Sequence, residues 1–196
     1  MMNEIGRSIR PAAVLLVAMA AVTGVAYPAL VTAVAQATMP AQANGSLVMD
    51  GDRVIGSALI AQDFAGAEYL HPRASAAGRG FEANNSGAPN FAPGSKDLKD
   101  AVEARLATAR SEGIEGPVPP DLVTTSASGL DPDLSPASAL AQAPRVATAR
   151  GVPAATVTAL IERETKRPLL GIIGEPTVNV LGVNRQLDGI APKPKT

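Results

Sequence analysis

The N-terminal part of the chain is almost wholly apolar, and the rest alternates short apolar runs with polar turns. No charged residue lies between Arg10 and Asp50. A helix over residues 12–34, rising about 1.5 Å per residue, is long enough to cross a hydrocarbon layer about 30 Å thick. The pattern therefore predicts a membrane-spanning helix at residues 12–34, with Pro28 as a point of kinking.

The flanking charges predict the orientation of this segment. Arg7 and Arg10 precede it, and positive charges stay on the cytoplasmic side, so the rest of the chain is expected outside the cytoplasm. The same residues also fit a secretory signal that is cleaved at the A-x-A sequence of residues 33–35. The apolar stretch is long for a signal, which favours a retained anchor. In both interpretations, the chain beyond the apolar segment is exported across the membrane.

Small residues mark one face of the predicted membrane helix. Ala20 and Gly24 form a small-xxx-small pair, and Pro28 is a further position at which the helix surface has no large side chain. In lipid, close approach of backbones is what joins helices. This face is therefore expected to pack against other membrane helices, although alanine is also common throughout the sequence.

Composition divides the chain into five segments. They are a cytoplasmic N-terminus, the membrane helix, a tether, one extracytoplasmic domain and a frayed tail, at residues 1–11, 12–34, 35–45, 46–190 and 191–196. Helix and strand patterns interleave in the domain without a regular βαβ order, so its expected fold class is α+β. The predicted architecture is one N-terminal transmembrane helix followed by a single mixed domain.

Turn and cap signals predict the elements of this domain. Asp50-Gly51 between two apolar runs indicates a β-hairpin, because a type I′ turn needs positive φ at both central residues. Residues 65–93 are rich in Gly, Ala, Asn and Pro, and are expected to form an ordered loop. Ser95 is the expected N-cap of a helix over residues 96–110.

The last third of the chain is predicted from proline and cap positions. Ser135 or Asp133 caps a helix that ends at Gly151. Other expected elements are a strand at 122–125, a helix at 153–166, a buried strand at 169–173 and a helix at 177–188. In the last of these, the alternation of Val178 and Val180 keeps a strand open as an alternative.

The composition excludes several classes of chemistry. The sequence has no Cys, which excludes disulfides, thiolate catalysis and Cys-ligated metal sites. A single His excludes His-pair metal sites, and no metal bound by this chain is expected. The net charge of −1 argues against general nucleic-acid binding. With 17 Pro and 18 Gly, the domain is expected to be folded but rich in loops.

Three polar residues on one predicted helix could bind an anion. Gln142 and Arg145 are neighbours on one face, and Arg150 follows near the helix end. Arginine can hold a carboxylate or phosphate by bidentate contacts, so these residues are candidate cofactor-binding groups. The alternative is that they tie the helix to adjacent loops.

Other polar residues have structural and functional interpretations. Asp131 and Asp133 could bind Ca²⁺, but a turn and a helix cap explain them better. Asn179 and Asn184 lie among Val and Leu, so they are expected to be hydrogen-bonded and to hold a loop. An exported hydrolase would have to use Ser128, His71 and Asp131.

Several motifs carry a resemblance that spans essentially the whole chain. They are TGVAYP at residues 23–28, GSALIAQDF at 56–64, PRASA at 72–76, TTSASGLDPDLSP at 124–136 and GEPTVNVL at 174–181. The fourth block contains Ser126, Ser128, Gly129, Asp131 and Pro132 as a structural motif, and Gln142, Arg145 and Arg150 follow it. In this order the motifs resemble the C subunit of the bacterial Kdp-type potassium-transporting ATPase.

The resemblance implies a non-catalytic accessory subunit of an ATP-driven potassium uptake complex. Its expected partners are a potassium-translocating channel-like subunit, a P-type ATPase subunit and a small helical subunit in the inner membrane. The family role is complex assembly, with action as a catalytic chaperone that raises the ATP affinity of the ATPase subunit. ATP is implied through that subunit, because the charges outside the membrane segment put this domain on the side without ATP. The alternative from the residues alone is a secreted solute- or cell-wall-binding module released by signal cleavage.

Overall fold

The structure, a computed structural model, describes residues 2–168 and 170–190. The chain divides into two compact units, at residues 1–47 and 48–196. The tail predicted at residues 191–196 lies outside the described residues. Each unit has its own architecture and is described separately below.

The first unit is built on one long helix. Helix α1 spans Met2–Ala21, a π-helical turn follows at Val22–Ala26, and α2 spans Tyr27–Thr38. Between Arg7 and Thr38 the mean hydropathy of the most apolar window is 2.2, and none of that window is buried. The helix extends past the predicted end at residue 34 into the predicted tether, where the short helix α3, Pro40–Ala43, follows.

Pro28 explains the π-helical turn. Proline has no backbone N–H, and its ring clashes with the carbonyl four residues earlier. The wider turn at Val22–Ala26 lies immediately before it, and the N–H of Tyr27 donates to the carbonyl of Val22, five residues back. The chain therefore stays helical both before and after Pro28. The wider turn relieves the proline clash that the sequence analysis expected to kink the helix.

The second unit begins with a hairpin and a long loop. Strands β1, Leu47–Asp50, and β2, Arg53–Ser57, pair as predicted. The turn lies at residues 51–52, one position later than the predicted Asp50-Gly51 pair, and Gly51 has a φ of +56°. Residues 58–95 contain neither helix nor strand, which confirms the predicted loop.

Helix α4 spans Lys96–Ser111 and begins at the predicted cap. The N–H of Leu98 donates to Oγ of Ser95 at 3.2 Å, which satisfies one of the free donors of the first turn. The exposed pairs of this helix, Lys96–Asp100 and Lys99–Glu103, join residues four apart as expected.

The strand predicted at residues 122–125 is wrong, because helix α5 occupies Pro120–Val123. Two consecutive prolines fix the backbone at its start, and proline is well suited to the first helical position. Oγ1 of Thr124 donates to the carbonyl of Pro120 at 2.8 Å. Local proline geometry therefore decides the conformation over the strand propensity of Val and Thr.

Helices α6 and α7 form the centre of the unit. Helix α6 spans Pro136–Arg150, and Ser135, not Asp133, is its cap, accepting from the N–H of Ser138 at 3.1 Å. The helix ends at Gly151 as predicted, with a φ of +65°. Helix α7 spans Ala154–Glu164, slightly shorter than predicted.

A small antiparallel sheet connects these helices to the C-terminal helix. Its strand order is β3-β5-β4, with bounds Asp133–Leu134, Thr177–Asn179 and Thr165–Lys166. The helix predicted from residue 177 is wrong for its first three residues, because β5 takes them and α8 spans Val180–Ile190. The alternative of a strand there is therefore confirmed. Val178 is completely buried between the two outer strands.

The predicted buried strand at residues 169–173 is also wrong. Residues 170–172 form a turn, and Leu170 and Ile172 are exposed. Leu169 lies outside the described residues. Ile173 forms only an isolated β-bridge and is 60% exposed, so the apolar character of this run does not indicate burial.

The core of the second unit lies between α6, α7, α8 and the small sheet. It contains aliphatic side chains and alanine, namely Leu70, Leu134, Ala139, Ala143, Val146, Ala147, Val157, Leu160, Ile161, Val178, Val180, Val183 and Leu187. The buried amides of Gln142 and Asn184 lie in the same region. The mixed helical and strand content predicted for this part of the chain is confirmed.

Candidate functional site

The long loop is attached to the helices by side-chain hydrogen bonds to consecutive carbonyl groups. The carbonyls of residues 67–71 accept from Arg145, Arg150, Asn184 and Gln142. Because a segment outside helices and sheets must satisfy its backbone groups elsewhere, these side chains take the place of a neighbouring strand. We call these four side chains the loop clamp.

Two amides of the loop clamp each bind both backbone groups of one residue. Asn184 Oδ1 accepts from the N–H of Leu70 at 2.8 Å, and its Nδ2 donates to the carbonyl of Leu70 at 2.9 Å. Gln142 Oε1 accepts from the N–H of His71 at 2.8 Å, and its Nε2 donates to the carbonyl of His71 at 3.1 Å. Adjacent loop residues are thus held from α8 and from α6.

Arg145 connects the loop clamp to α4. Its Nη1 donates to the carbonyls of Ala67 and Tyr69, and its Nη2 donates to Gln142 Oε1 at 2.7 Å. Its Nε lies 3.7 Å from Glu112 Oε2, beyond hydrogen-bond distance. Burial lowers the pKa of Arg145, and the nearby carboxylates of Glu112 and Glu68 oppose that effect.

His71 and Glu112 form a second link between the loop and α4. Glu112 Oε1 lies 3.2 Å from His71 Nδ1, and the other ring nitrogen of His71 lies 3.0 Å from the carbonyl of Gly66. The hydrogen bond with His71 lowers the pKa of Glu112, and the charges of His71 and Arg145 add to this against the effect of burial. The carboxylate form of Glu112 is therefore favoured in the folded chain.

Arg150 is the most deeply buried charge of the loop clamp. Its side chain is 0% exposed, whereas that of its ion-pair partner Asp188 is 43% exposed. Arg150 Nη2 donates to Asp188 at 2.8 Å and Nε donates to the carbonyl of Glu68 at 2.6 Å. The guanidinium carbon also lies 5.0 Å from the ring centre of Tyr69, a cation–π arrangement.

The SxSGLDP block forms a tight loop against residues 75–87. Gly129 has a φ of +67°, and a Cβ there would lie 2.6 Å from the backbone nitrogen of Ala77. Oγ of Ser75 donates to the carbonyl of Gly129 at 2.6 Å, and the N–H of Gly87 donates to the carbonyl of Ser128 at 3.0 Å. Two loops therefore meet through their backbones at Gly129.

The remaining polar residues of the block connect it to its neighbours. Ser126 is buried, and its Oγ lies 3.5 Å from the N–H of Asp131. Asp131 accepts from Arg73 Nη1 and from the N–H of Asp133, both at 3.1 Å. The carbonyl of Pro132 accepts from the N–H at the start of α8.

Asn179 joins β5 to three other parts of the second unit. Its Nδ2 donates to Asp133 Oδ1 at 2.9 Å and to the carbonyl of Ala58 at 3.1 Å. Its Oδ1 accepts from the N–H of Gly182 at 2.9 Å, in the first turn of α8. A single amide therefore joins the residue after the hairpin, β3 and the C-terminal helix.

The three residues that a hydrolase would need are engaged separately. His71 faces Glu112, Asp131 faces Arg73, and Ser128 Oγ accepts from the N–H of Leu130 at 3.1 Å. No hydrogen bond joins these three side chains in the part of the chain that the structure describes. The arrangement does not have the nucleophile–base contact that such catalysis uses.

The depression beside the loop clamp is small. It has a volume of about 150 Å³ and is lined by residues that include His71, Glu112, Gln142 and Arg105. Sites for drug-sized ligands typically measure about 300–1,000 Å³. Within the described ranges 2–168 and 170–190, no group of three His, Cys, Asp or Glu side chains has the arrangement of a metal site.

Sequence reasoning missed the partners of the candidate residues. Glu112, Tyr69 and Arg73 each contact a residue singled out from the sequence, but all of them are distant from that residue along the chain. The only available signals were that Tyr69 is one of few aromatic residues and that Arg73 lies in the PRASA motif.

In the first unit, the predicted packing residues lie on an exposed helix. Ala20 and Gly24 are exposed, and a Cβ added at Gly24 would meet no atom within 4 Å. Gly24 lies in the π-helical turn, and Pro28 is the second residue of α2. The unit therefore presents these positions without a partner from its own described residues.

Comparison with known proteins identifies the family. Residues 9–189 match the family model described as K⁺-transporting ATPase, c chain. A protein of Rhodospirillum rubrum named potassium-transporting ATPase KdpC subunit is 54% identical, over 93% of this chain and 95% of its own length. Proteins of the same name from Caulobacter vibrioides and Rhodopseudomonas palustris are 52% and 46% identical, over 94% and 95% of this chain and 94% and 99% of their own lengths. The polypeptide is therefore a member of the c-chain family of the potassium-transporting ATPase.

Proposed function

We propose that this chain is a non-catalytic subunit that assembles and stabilises an ATP-driven potassium uptake complex in the bacterial inner membrane. Its partners are a potassium-translocating channel-like subunit, a P-type ATPase subunit and a small helical subunit. As a catalytic chaperone, it raises the affinity of the ATPase subunit for ATP. The second unit lies outside the cytoplasm, and the N-terminus lies inside.

The apolar helix of the first unit carries this proposal. From Arg7 to Thr38 it is long enough to cross a bilayer, and its large aliphatic side chains are exposed. Such a surface needs lipid or other helices around it. This surface and its flanking charges support retention as an anchor, with Arg7 and Arg10 on the cytoplasmic side.

The contacts of the loop clamp support an indirect effect of this chain on the ATP affinity of the ATPase subunit. Gln142, Arg145 and Arg150 are the candidate nucleotide-binding residues, and each already donates to the backbone of residues 67–71. The depression beside them, at about 150 Å³, is small for a nucleotide. This chain then influences the ATP affinity of the ATPase subunit through contacts between membrane helices.

The phosphorylated aspartate belongs, in this proposal, to the ATPase subunit. The sequence contains no DKTGT motif, the phosphorylation motif of P-type pumps. Phosphoryl transfer depends on positioned phosphate-binding groups and Mg²⁺, and the loop clamp has its donors directed at its own backbone. The contribution of this chain is then mechanical support for a site elsewhere.

Two measurements test the proposal. A reporter enzyme fused to the C-terminus should be active only outside the cytoplasm, and the mature chain should retain its N-terminus. The ATP concentration for half-maximal activity of the purified complex should rise when this chain is omitted, while photoreactive ATP should label the ATPase subunit and leave this chain unlabelled. Activity of the reporter in the cytosol, labelling of this chain, or release of a product that begins at Gln36 would contradict it.

A further inference from the structure

The turn between β4 and β5 exposes three large aliphatic side chains. Leu170 and Ile172 are each 82% exposed, and Ile173 is 60% exposed. Contiguous apolar side chains at such exposure are costly in water and mark contact surfaces. The second unit does not cover these side chains with any of its described residues.

A backbone hydrogen bond is formed within this turn. The N–H of Gly171 donates to the carbonyl of Pro168 at 3.0 Å. Leu170 has a φ of +55°, an unusual value for a residue with a side chain, and Gly171 has a φ of +77°. Both side chains that flank Gly171 on this turn, Leu170 and Ile172, are exposed.

Two basic residues stand at the base of the same turn. Lys166 and Arg167 are exposed, and neither forms an ion pair within residues 2–168 and 170–190. Glu175 is exposed on the other arm, so the turn carries two cations against one anion. An apolar tip beside basic side chains is the pattern of segments that lie in the interface of an anionic bilayer.

We propose that residues 166–168 and 170–173, the interfacial turn, contact the lipid bilayer, with Leu170, Ile172 and Ile173 in the headgroup region and Lys166 and Arg167 on anionic lipid phosphates. This inference rests on the proposed membrane anchoring. The anchor helix ends at Thr38, a short distance along the chain from the second unit. Attachment to a bilayer gives that unit a high effective concentration of lipid surface, which makes a weak interfacial contact effective.

The charge of the interfacial turn and its attachment to a membrane anchor favour lipid over protein as its binding partner. A protein interface usually adds aromatic anchors and hydrogen-bond partners around its apolar centre. The interfacial turn has aliphatic side chains instead, and its two cations form no ion pair with any residue that the structure describes. Both features match a lipid surface, in which aliphatic groups enter and basic groups remain at the phosphate level.

Site-directed spin labelling of the full chain tests the proposal. The natural sequence has no Cys, so Ile172→Cys, Glu103→Cys and Ala18→Cys each provide one labelling site. The labelled chains are reconstituted in vesicles of equal parts phosphatidylcholine and phosphatidylglycerol. Collision rates are then measured with oxygen, which partitions into lipid, and with a water-soluble nickel chelate. Glu103 is the exposed control on α4, and Ala18 reports insertion of the anchor.

The expected result is that the label at position 172 favours oxygen over nickel relative to the label at position 103. The preference should weaken with Lys166→Glu and Arg167→Glu, and in vesicles of phosphatidylcholine alone. Equal accessibility at positions 172 and 103, with Ala18 protected from nickel, would overturn the interfacial turn but not the anchor. Exposure of Ala18 to nickel would overturn both. Protection of position 172 only after the other subunits are added would assign the turn to a protein partner and overturn the lipid contact.

Discussion

Asn184 holds Leu70 by both of its backbone groups, at 2.8 Å to the N–H and 2.9 Å to the carbonyl. Gln142 does the same at His71. The long loop thereby obtains from two helices the pairing that a neighbouring strand would give, in a region where water is excluded. An amide is needed at each position, because only an amide combines a donor and an acceptor at this spacing.

Replacing Asn184 by Leu is expected to lower the free energy of unfolding of the second unit by about 2–6 kcal/mol. The substitution keeps a similar volume but leaves two buried backbone groups unpaired, at about 1–3 kcal/mol each. Denaturant titration of the full chain in detergent measures the change. Near-ultraviolet circular dichroism of Tyr69 in a Tyr27→Phe background follows this unit, because the sequence has two tyrosines.

The matched control is Asn90→Leu. Asn90 is exposed, and its Nδ2 donates to the carbonyl of Ala88 two residues away. Because Asn90 has a φ of +52°, which leucine adopts less readily than asparagine, its replacement should cost about 1 kcal/mol, less than the loss expected at Asn184. If both variants unfold alike, the paired contacts between Asn184 and Leu70 do not stabilise the loop.

Gly129→Ala should destabilise the second unit far more than Gly116→Ala. Both glycines have a positive φ, at +67° and +71°. A Cβ at Gly129 would lie 2.6 Å from the nitrogen of Ala77 and 2.8 Å from the carbonyl oxygen of Gly87, whereas a Cβ at Gly116 would meet nothing within 4 Å. Gly116→Ala should therefore lower the free energy of unfolding by only about 1 kcal/mol, the strain of placing alanine at a positive φ. The additional destabilisation in Gly129→Ala measures the steric clash of the Cβ.

Thermal unfolding of the two glycine variants provides the comparison. Equal melting temperatures would show that the loops around Gly129 move apart without cost. A lower melting temperature for Gly129→Ala than for Gly116→Ala would establish that the close approach of residues 77, 87 and 129 is required.

The stability of the second unit is expected to fall in acid partly through Glu112. Its pKa is lowered in the folded chain from the ordinary value of 4.5, chiefly by the hydrogen bond with His71. A depressed folded pKa stabilises the fold above the unfolded value, and that contribution is lost as the pH falls from there through the folded pKa. Glu112→Gln should therefore flatten the pH dependence of stability below about pH 4.5.

Glu103→Gln is the control for the pH experiment. Glu103 lies on α4, the helix that ends immediately before Glu112, and it is exposed, with Lys99 3.7 Å away. An exposed pair of this kind contributes little to stability, so the acid limb should keep its wild-type slope. Denaturant midpoints measured from pH 3 to pH 7 would refute the assignment if the two variants had the same slope.

Ala20→Leu should weaken assembly of the complex, whereas Ala18→Leu should not. The two positions lie on nearly opposite sides of α1, and the substitution is identical at both. A larger side chain at Ala20 would separate helix backbones that pack through small residues. Recovery of the other subunits by affinity purification of the tagged chain measures the difference; equal recovery would leave the Ala20 face without a role.

The sequence predicted the elements whose signals are local. Ser95 and Ser135 begin their helices, and Gly151 ends α6, because caps depend on the residue and its immediate neighbours. The hairpin was displaced by only one residue. These elements required no knowledge of distant contacts.

Predictions that depended on burial were less successful. Apolar residues at 169–173 indicated a buried strand, but the structure exposes Leu170 and Ile172, since hydrophobicity alone does not specify what covers a side chain. The loop clamp joins residues separated by many positions, such as Asn184 and Leu70. The sequence indicated that the amide of Asn184 would be hydrogen-bonded, but it could not identify the partner.

The π-helical turn before Pro28 changes which residues face the same neighbour. One additional residue in a turn rotates everything beyond it by about 100° relative to an uninterrupted α-helix. A helical wheel drawn from the sequence alone therefore assigns Leu30, Val31 and Val34 to the wrong side with respect to Ala13 and Ala20. Deleting a single residue between Val22 and Ala26 would remove the additional residue, so an uninterrupted α-helix would present its second half to the same neighbours as now.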